Sequence, residues 1–183
     1  SGEGLSARQK SYQKKTLKRD FAMIVLFLTT GIRVSELAGL DISDIDFETN
    51  SFRIIRKGGN ESILYLGNET ADALKSYLQE RQSTDTYERN APLFLSMQNK
   101  RINVRTIENL VKKYAGSAVP LKKITPHKLR STYGTMLYQN TGDIYLVADV
   151  LGHKDVNTTR KHYAAMSEEN RKMAAKAVTL REE

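Results

Sequence analysis

The stretch TPHKLRST, residues 125 to 132, sets a histidine three positions before an arginine in a chain that has only three histidines. Thr125 can cap a helix through its hydroxyl, and Pro126 suits the first helical position, where its missing N–H would have had no partner. His127 and Arg130 then share a face, because residues three apart on a helix are neighbours. An imidazole and a guanidinium at a helix start, where unpaired N–H groups already favour negative charge, are the parts of a phosphate site. The same four residues also fit a packed histidine and a solvated arginine, so the other stretches have to be weighed with them. In IRVSELAGL, Arg33 and Glu36 are again three apart, with Glu36 placed to orient the guanidinium. In RKGGN, Lys57 stands beside two glycines, where a long cation either keeps a turn in water or swings into a cleft.

These residues need elements to carry them. TLKRDFAMIVLFLTT, residues 16 to 30, has the length and apolar second half of a core helix, which Gly31 ends, and IRVSELAGL follows as a short helix with Val34, Leu37 and Leu40 inward. The period then changes. Phe52 and Ile54 alternate with Arg53 and Ile55, and Ile63 and Tyr65 with Leu64 and Leu66, which predicts a β-hairpin turning at Gly58-Gly59 with Lys57 at the tip opposite Asn60. Residues 68 to 82 form an amphipathic helix capped by Asn68, with Ala71, Leu74 and Leu78 on one stripe. A polar loop and the apolar run LFLS lead to another amphipathic helix from about Arg105 to Ala115, with Ile107, Leu110, Val111 and Tyr114 on its apolar side. The Thr125 helix runs on through STYGTMLYQN, DIYLVADVLG is a short helix ended by Gly152, and a last helix begins at Ser167. Helices around one small antiparallel hairpin or sheet indicate an α+β, mainly helical class.

The chain has 183 residues, a net charge of +8 and no cysteine. That length buries one good core, the charge favours a polyanionic partner, and the lack of cysteine excludes disulfides and thiolate metal sites. No apolar run approaches the roughly 20 residues that span a bilayer, and no secretory signal pattern is present, so a soluble, cytoplasmic protein is expected. SGEG reads as a cloning remnant, and the basic stretch after it as a linker or as the exposed start of a helix.

Taken in order, TGIRVSELAGL, RKGGN, TPHKLRSTYGT and VLGHKDVNTTRKHYA resemble the tyrosine recombinases, or phage integrase family, and most closely the catalytic domains of XerC/XerD-like and conjugative-transposon integrases. The resemblance runs from about residue 17 to 178, and its force lies in the order and spacing of the motifs. It implies six catalytic positions: Arg33, Lys57, His127, Arg130, His153 and the nucleophile Tyr163. It also implies attack of the tyrosine on a scissile phosphate, a 3′-phosphotyrosyl link and a free 5′-hydroxyl, with no metal, ATP or other cofactor. The residue chemistry agrees. A phosphodiester gathers charge on its non-bridging oxygens in the transition state, and planar, permanently charged guanidiniums suit it; a lost donor of this kind costs ~3 to 4 kcal/mol. A phenol, protonated at neutral pH, needs a partner such as His127 or His153, and the departing 5′-oxygen needs an acid, for which Lys57 is the candidate.

Nine tyrosines are present, and periodicity alone does not select one. Tyr77 and Tyr114 read as packing, Tyr133 and Tyr138 as possible lining of the site, and Tyr163 is selected by its motif, with Arg160, Lys161 and His162 making its surroundings basic. His162 as the base, and a metal held by His127, His153 and His162, are the competing readings; the three histidines lack a short ligand pairing. A type IB topoisomerase and a catalytically decayed DNA-binding module are the competing functions. The resemblance further implies double-stranded DNA as partner, an upstream DNA-binding domain outside residues 1–183, a catalytic domain over 16–183 preceded by a remnant and linker over 1–15, and a homotetramer on DNA joined through a C-terminal helix at about 167–180. The stripe Met173, Ala174, Ala177 and Val178 is the candidate docking face, with packing onto its own domain as the alternative. Accessory proteins and target site are not specified.

Overall fold

A computed structural model of the chain describes residues 6–82, 90–118, 123–163 and 171–172. They fall into two compact units, residues 1–130 and 131–183. The fold is mainly helical with one three-stranded antiparallel sheet, as the α+β reading expects.

In the first unit α1 spans Ala7–Thr30, so the basic stretch ahead of Thr16 is helix rather than linker from Ala7 onward. Its second half is the centre of the core: Ala22, Met23, Leu26 and Phe27 are fully buried. Positions one and four apart make a single stripe, and each large side chain so buried contributes about 1.5–3 kcal/mol. That stripe packs on α3, Asn68–Gln82, whose Ala71, Leu74 and Leu78 are buried as the pattern predicts. Thr29 and Thr70 join the two helices by a hydroxyl–hydroxyl bond of 2.8 Å. Asn68 is the first helical residue rather than the cap; the residue before it, Gly67, takes the Ala71 N–H on its carbonyl. The apolar LFLS run lies beneath, with Phe94 stacked on Tyr77 at 5.5 Å.

Between these helices come α2, Val34–Gly39, and the sheet, with β1 (Ile45–Asp46), β2 (Ser51–Ile55) and β3 (Glu61–Tyr65) in that order. The sequence pattern predicts β2 and β3; β1 is only two residues long and too short to show a period. Phe52 and Ile54 point into the core, and Ile55, Ile63 and Tyr65 lie on the exposed face. The register differs from expectation at the turn. Ile55 pairs with Glu61, so Asn60 faces Arg56, and the Arg56 N–H donates to the Asn60 carbonyl at 2.7 Å; Lys57 has no such pairing with Asn60. Gly59 N–H closes the turn on the Arg56 carbonyl, which makes Lys57 and Gly58 the two central residues. Gly58 and Gly59 have φ of +96° and +83°, the left-handed region that side chains avoid, and the extra residue shifts the pairing by one.

The amphipathic helix α4 spans Val104–Ala118, longer than expected at its C-terminal end, with Ile107, Leu110 and Val111 buried. α5 spans Pro126–Thr141, and the division between the units falls inside it, after Arg130. Thr125 caps it as the sequence predicts: its hydroxyl accepts the Lys128 N–H at 3.2 Å.

The second unit adds α6, Ile144–Leu151, and α7, Val156–His162. Asp143 caps α6 by accepting the Tyr145 and Leu146 N–H groups, Gly152 ends it, and Asp155 caps α7. The core of this unit is Tyr138, Val147, Leu151 and Tyr163, with Tyr133, Leu137 and Ile144 packed around it. Of the expected C-terminal helix only Arg171 and Lys172 are among the described residues; the stripe from Met173 to Val178 lies outside them.

Candidate active site

The first unit carries Arg33, Lys57, His127 and Arg130, and the second carries His153 and Tyr163. In the first unit two arginines meet the corner that joins α1 to α2. Arg130, buried at the start of α5, donates from Nη1 to the carbonyl of Gly31 at 2.6 Å. Arg33 stands two residues further on, at the start of α2. Glu36 holds it from both ends: Oε2 accepts the Arg33 backbone N–H at 2.9 Å, and Oε1 accepts Nη1 at 3.0 Å. The carboxylate is buried, with its side chain 3% exposed, whereas the Arg33 side chain is 35% exposed. Glu36 therefore fixes the guanidinium without covering it, the orienting role expected from the three-residue spacing.

Glu36 has a second cation that the sequence reading missed. Arg56, the last residue before Lys57, lies with its Nη1 3.4 Å from Glu36 Oε1 and its Nε 3.3 Å from Ser62 Oγ. Lys57 itself is exposed at the turn, and His127 is exposed one helical turn before Arg130 on α5.

In the second unit His153 follows the end of α6, and its Nδ1 is hydrogen-bonded to the hydroxyl of Thr159. Thr159 is fully buried and also accepts the Tyr163 N–H on its carbonyl at 3.2 Å. One threonine thus fixes both the ring of His153 and the backbone of Tyr163. Thr159 was not singled out from the sequence, and its only signal there is its place four residues before the tyrosine.

Tyr163 is 4% exposed. Its ring lies 5.4 Å from that of Tyr138 and 4.8 Å, edge to face, from His162. The hydroxyl rests over Gly134 of α5, so closely that a Cβ added there would lie 2.4 Å from it. The last turn of α7, Arg160, Lys161 and His162, is basic and exposed, as the motif suggests.

Three other tyrosines have their phenols raised by their surroundings. Burial pushes the phenol of Tyr114 up to about 12, with the negative Asp20 adding to the effect and accepting its hydroxyl at 3.1 Å. Tyr77 and Tyr133 are also raised, chiefly by burial.

The family described as "Phage integrase family" matches residues 5–170. The chain is 36% identical over 154 residues to tyrosine recombinase XerC of Thermodesulfovibrio yellowstonii, covering 82% of this chain and 51% of that protein. It is 33% identical over 156 residues to tyrosine recombinase XerD of Staphylococcus epidermidis, covering 85% and 53%. The chain therefore spans about half the length of the curated relatives it matches. Among solved structures, the XerA recombinase superposes with a TM-score of 0.75 at 31% identity, covering 97% of this chain and 65% of that one. The XerH site-specific recombinase, bound to palindromic difH substrate in a post-cleavage complex, gives a TM-score of 0.74 at 26% identity, covering 94% and 47%.

Proposed function

Because the chain belongs to the phage integrase family, we propose that it is the catalytic part of a site-specific DNA recombinase that cuts and rejoins strands through a 3′-phosphotyrosyl link. The observation that carries this reading is the meeting of Arg33 and Arg130 at one corner, residues 31–36, with Glu36 beneath. Guanidiniums anchored before substrate arrives cost no reorganisation when phosphate charge develops.

In the proposed reaction Arg33 and Arg130 hold the non-bridging oxygens of the scissile phosphate. The oxygen of Tyr163 attacks phosphorus while His127 or His153 takes the phenol proton, and the bond from phosphorus to the 5′-oxygen breaks. The Lys57 ammonium gives its proton to that oxygen, so the products are a 3′-phosphotyrosine and a free 5′-hydroxyl. Attack by a partner strand's 5′-hydroxyl reverses the sequence and restores the tyrosine. No nucleotide is required, because the covalent link conserves the phosphodiester bond energy, and in this reading the two guanidiniums supply the charge that a metal would otherwise bring.

Double-stranded DNA is the proposed substrate, supported by the charge of +8 and by the XerH complex with difH. The proposal extends to residues 16–183 as a catalytic domain working with a separate DNA-binding domain, to a homotetramer on DNA joined through the segment at about 167–180, and to a cytoplasmic location. The match to about half of each relative supports the first of these. For the last, no described helix is long and apolar enough to cross a membrane.

The test is covalent trapping. Nicked duplexes from a random-sequence pool are mixed with the protein and with Tyr163→Phe, and DNA that stays on protein through SDS is sequenced. A band given by the parent protein and absent from Tyr163→Phe is expected. A band of equal strength from the variant would remove Tyr163 as nucleophile, and relaxation of supercoils without recombinant products would favour a topoisomerase.

A further inference from the structure

Arg56 is a charged residue where the local pattern asks for an apolar one. β2 turns Phe52 and Ile54 inward, and position 56 continues the same alternation into the interior. An apolar side chain would fill that place without desolvating a charge; the arginine found there is 8% exposed in its side chain. What it gains is contact in two directions. Through its side chain it reaches Glu36, the carboxylate that holds Arg33, and Ser62 on β3. Through its backbone it frames the Lys57 turn, donating to Asn60 and accepting from Gly59.

We propose that Arg56 is a positioning residue that ties the Lys57 turn to the carboxylate of Glu36, so that the proton donor and the phosphate-binding Arg33 are set by one shared anion. The inference rests on the recombinase reading and deepens it. Arg33 and Arg56 both lie against the one carboxylate of Glu36. With Arg56 gone, Glu36 serves Arg33 alone and the turn loses its side-chain anchor. The fork of the guanidinium matters as well as its charge, since it meets Glu36 and Ser62 through different nitrogens, which a lysine ammonium cannot reproduce.

The proposal makes the loss of Arg56 a loss of Lys57 function, and leaving-group chemistry can isolate that. A 5′-bridging sulfur departs as a thiolate and needs no proton, so a defect in the acid disappears on that substrate. Cleavage rates are measured on the duplex recovered by covalent trapping, with oxygen and with sulfur at the 5′-bridging position, for the parent protein, Arg56→Met, Arg56→Lys, Lys57→Ala and the double variant. Arg56→Met is expected to slow cleavage of the oxygen substrate about 30-fold, part of the ~100-fold or more that a positioned acid contributes, and to slow the sulfur substrate less than about 3-fold. Added to Lys57→Ala, it is expected to cost little more. Should Arg56→Met fail to fold by circular dichroism, Arg56→Lys carries the same oxygen-to-sulfur comparison. Equal losses on both substrates, an additive double variant, or no loss at all would overturn the role of Arg56 while leaving the recombinase reading standing. Absence of covalent product from the parent protein would overturn both.

Discussion

The two units hold their candidate residues by different means. In residues 1–130 the cations are tied by charge and by backbone: Arg33 and Arg56 to the buried Glu36, and Arg130 to the Gly31 carbonyl. In residues 131–183 the ring of Tyr163 packs among Tyr138, Val147 and Leu151, and His153 is hydrogen-bonded to the hydroxyl of Thr159. The first arrangement suits groups that must wait in place for a phosphate, because fixed dipoles stabilise charge only when they need not rearrange. The second places the ring in a largely apolar cluster, where packing is non-directional.

The comparison breaks most visibly at Glu36. Glu36→Ala removes the carboxylate that Arg33 and the buried Arg56 share, so unfolding free energy in urea is expected to fall by on the order of 3 kcal/mol. A loss under about 1 kcal/mol would mean that the corner is held by something other than this ion pair.

Gly134→Ala probes the second unit. A Cβ at 2.4 Å from the Tyr163 hydroxyl cannot be accommodated with the ring in place, so the expected cost is about 1–3 kcal/mol, the usual range for overpacking. The displaced ring is expected to react faster with tetranitromethane, read by peptide mapping at Tyr163. Unchanged melting and unchanged nitration would show that Gly134 does not seat the tyrosine.

The smallest effect is confined to alkaline pH. Tyr114 has its phenol raised from 10.0 to about 12 in the folded chain. The folded protein thus holds this proton more tightly than the unfolded chain, so the stabilisation is complete below the unfolded value and is lost as pH rises through the folded one. Tyr114→Phe is therefore expected to flatten the fall in melting temperature over that window. An identical alkaline profile for variant and parent would remove Tyr114 as its source.

What was legible in the sequence is what neighbouring residues decide between themselves. The Thr125 cap, the Pro126 start, the Arg33–Glu36 spacing, the buried stripe of α3 and the Gly152 stop each involve residues within a few positions, and each is found in the structure. The motif order carried the family. The turn was legible in its glycines and not in its register, because positive φ is written in residue type while the pairing depends on how the strands meet.

Tertiary structure alone decided the longer links. Arg56 and Glu36 are 20 positions apart, and Arg130 and Gly31 are 99 apart, so no local period connects either pair. A periodic reading would also have put an apolar side chain at position 56. Gly134 under Tyr163 is a close approach of a side chain to a helix that a glycine permits without announcing its partner. The sequence by itself determined which side chains are able to hold a phosphate, move a proton or attack, because those abilities belong to residue types. Which carboxylate each arginine shares, and which surface covers the tyrosine, waited on the packing, because hydrogen bonds and buried contacts depend on distance in space rather than along the chain.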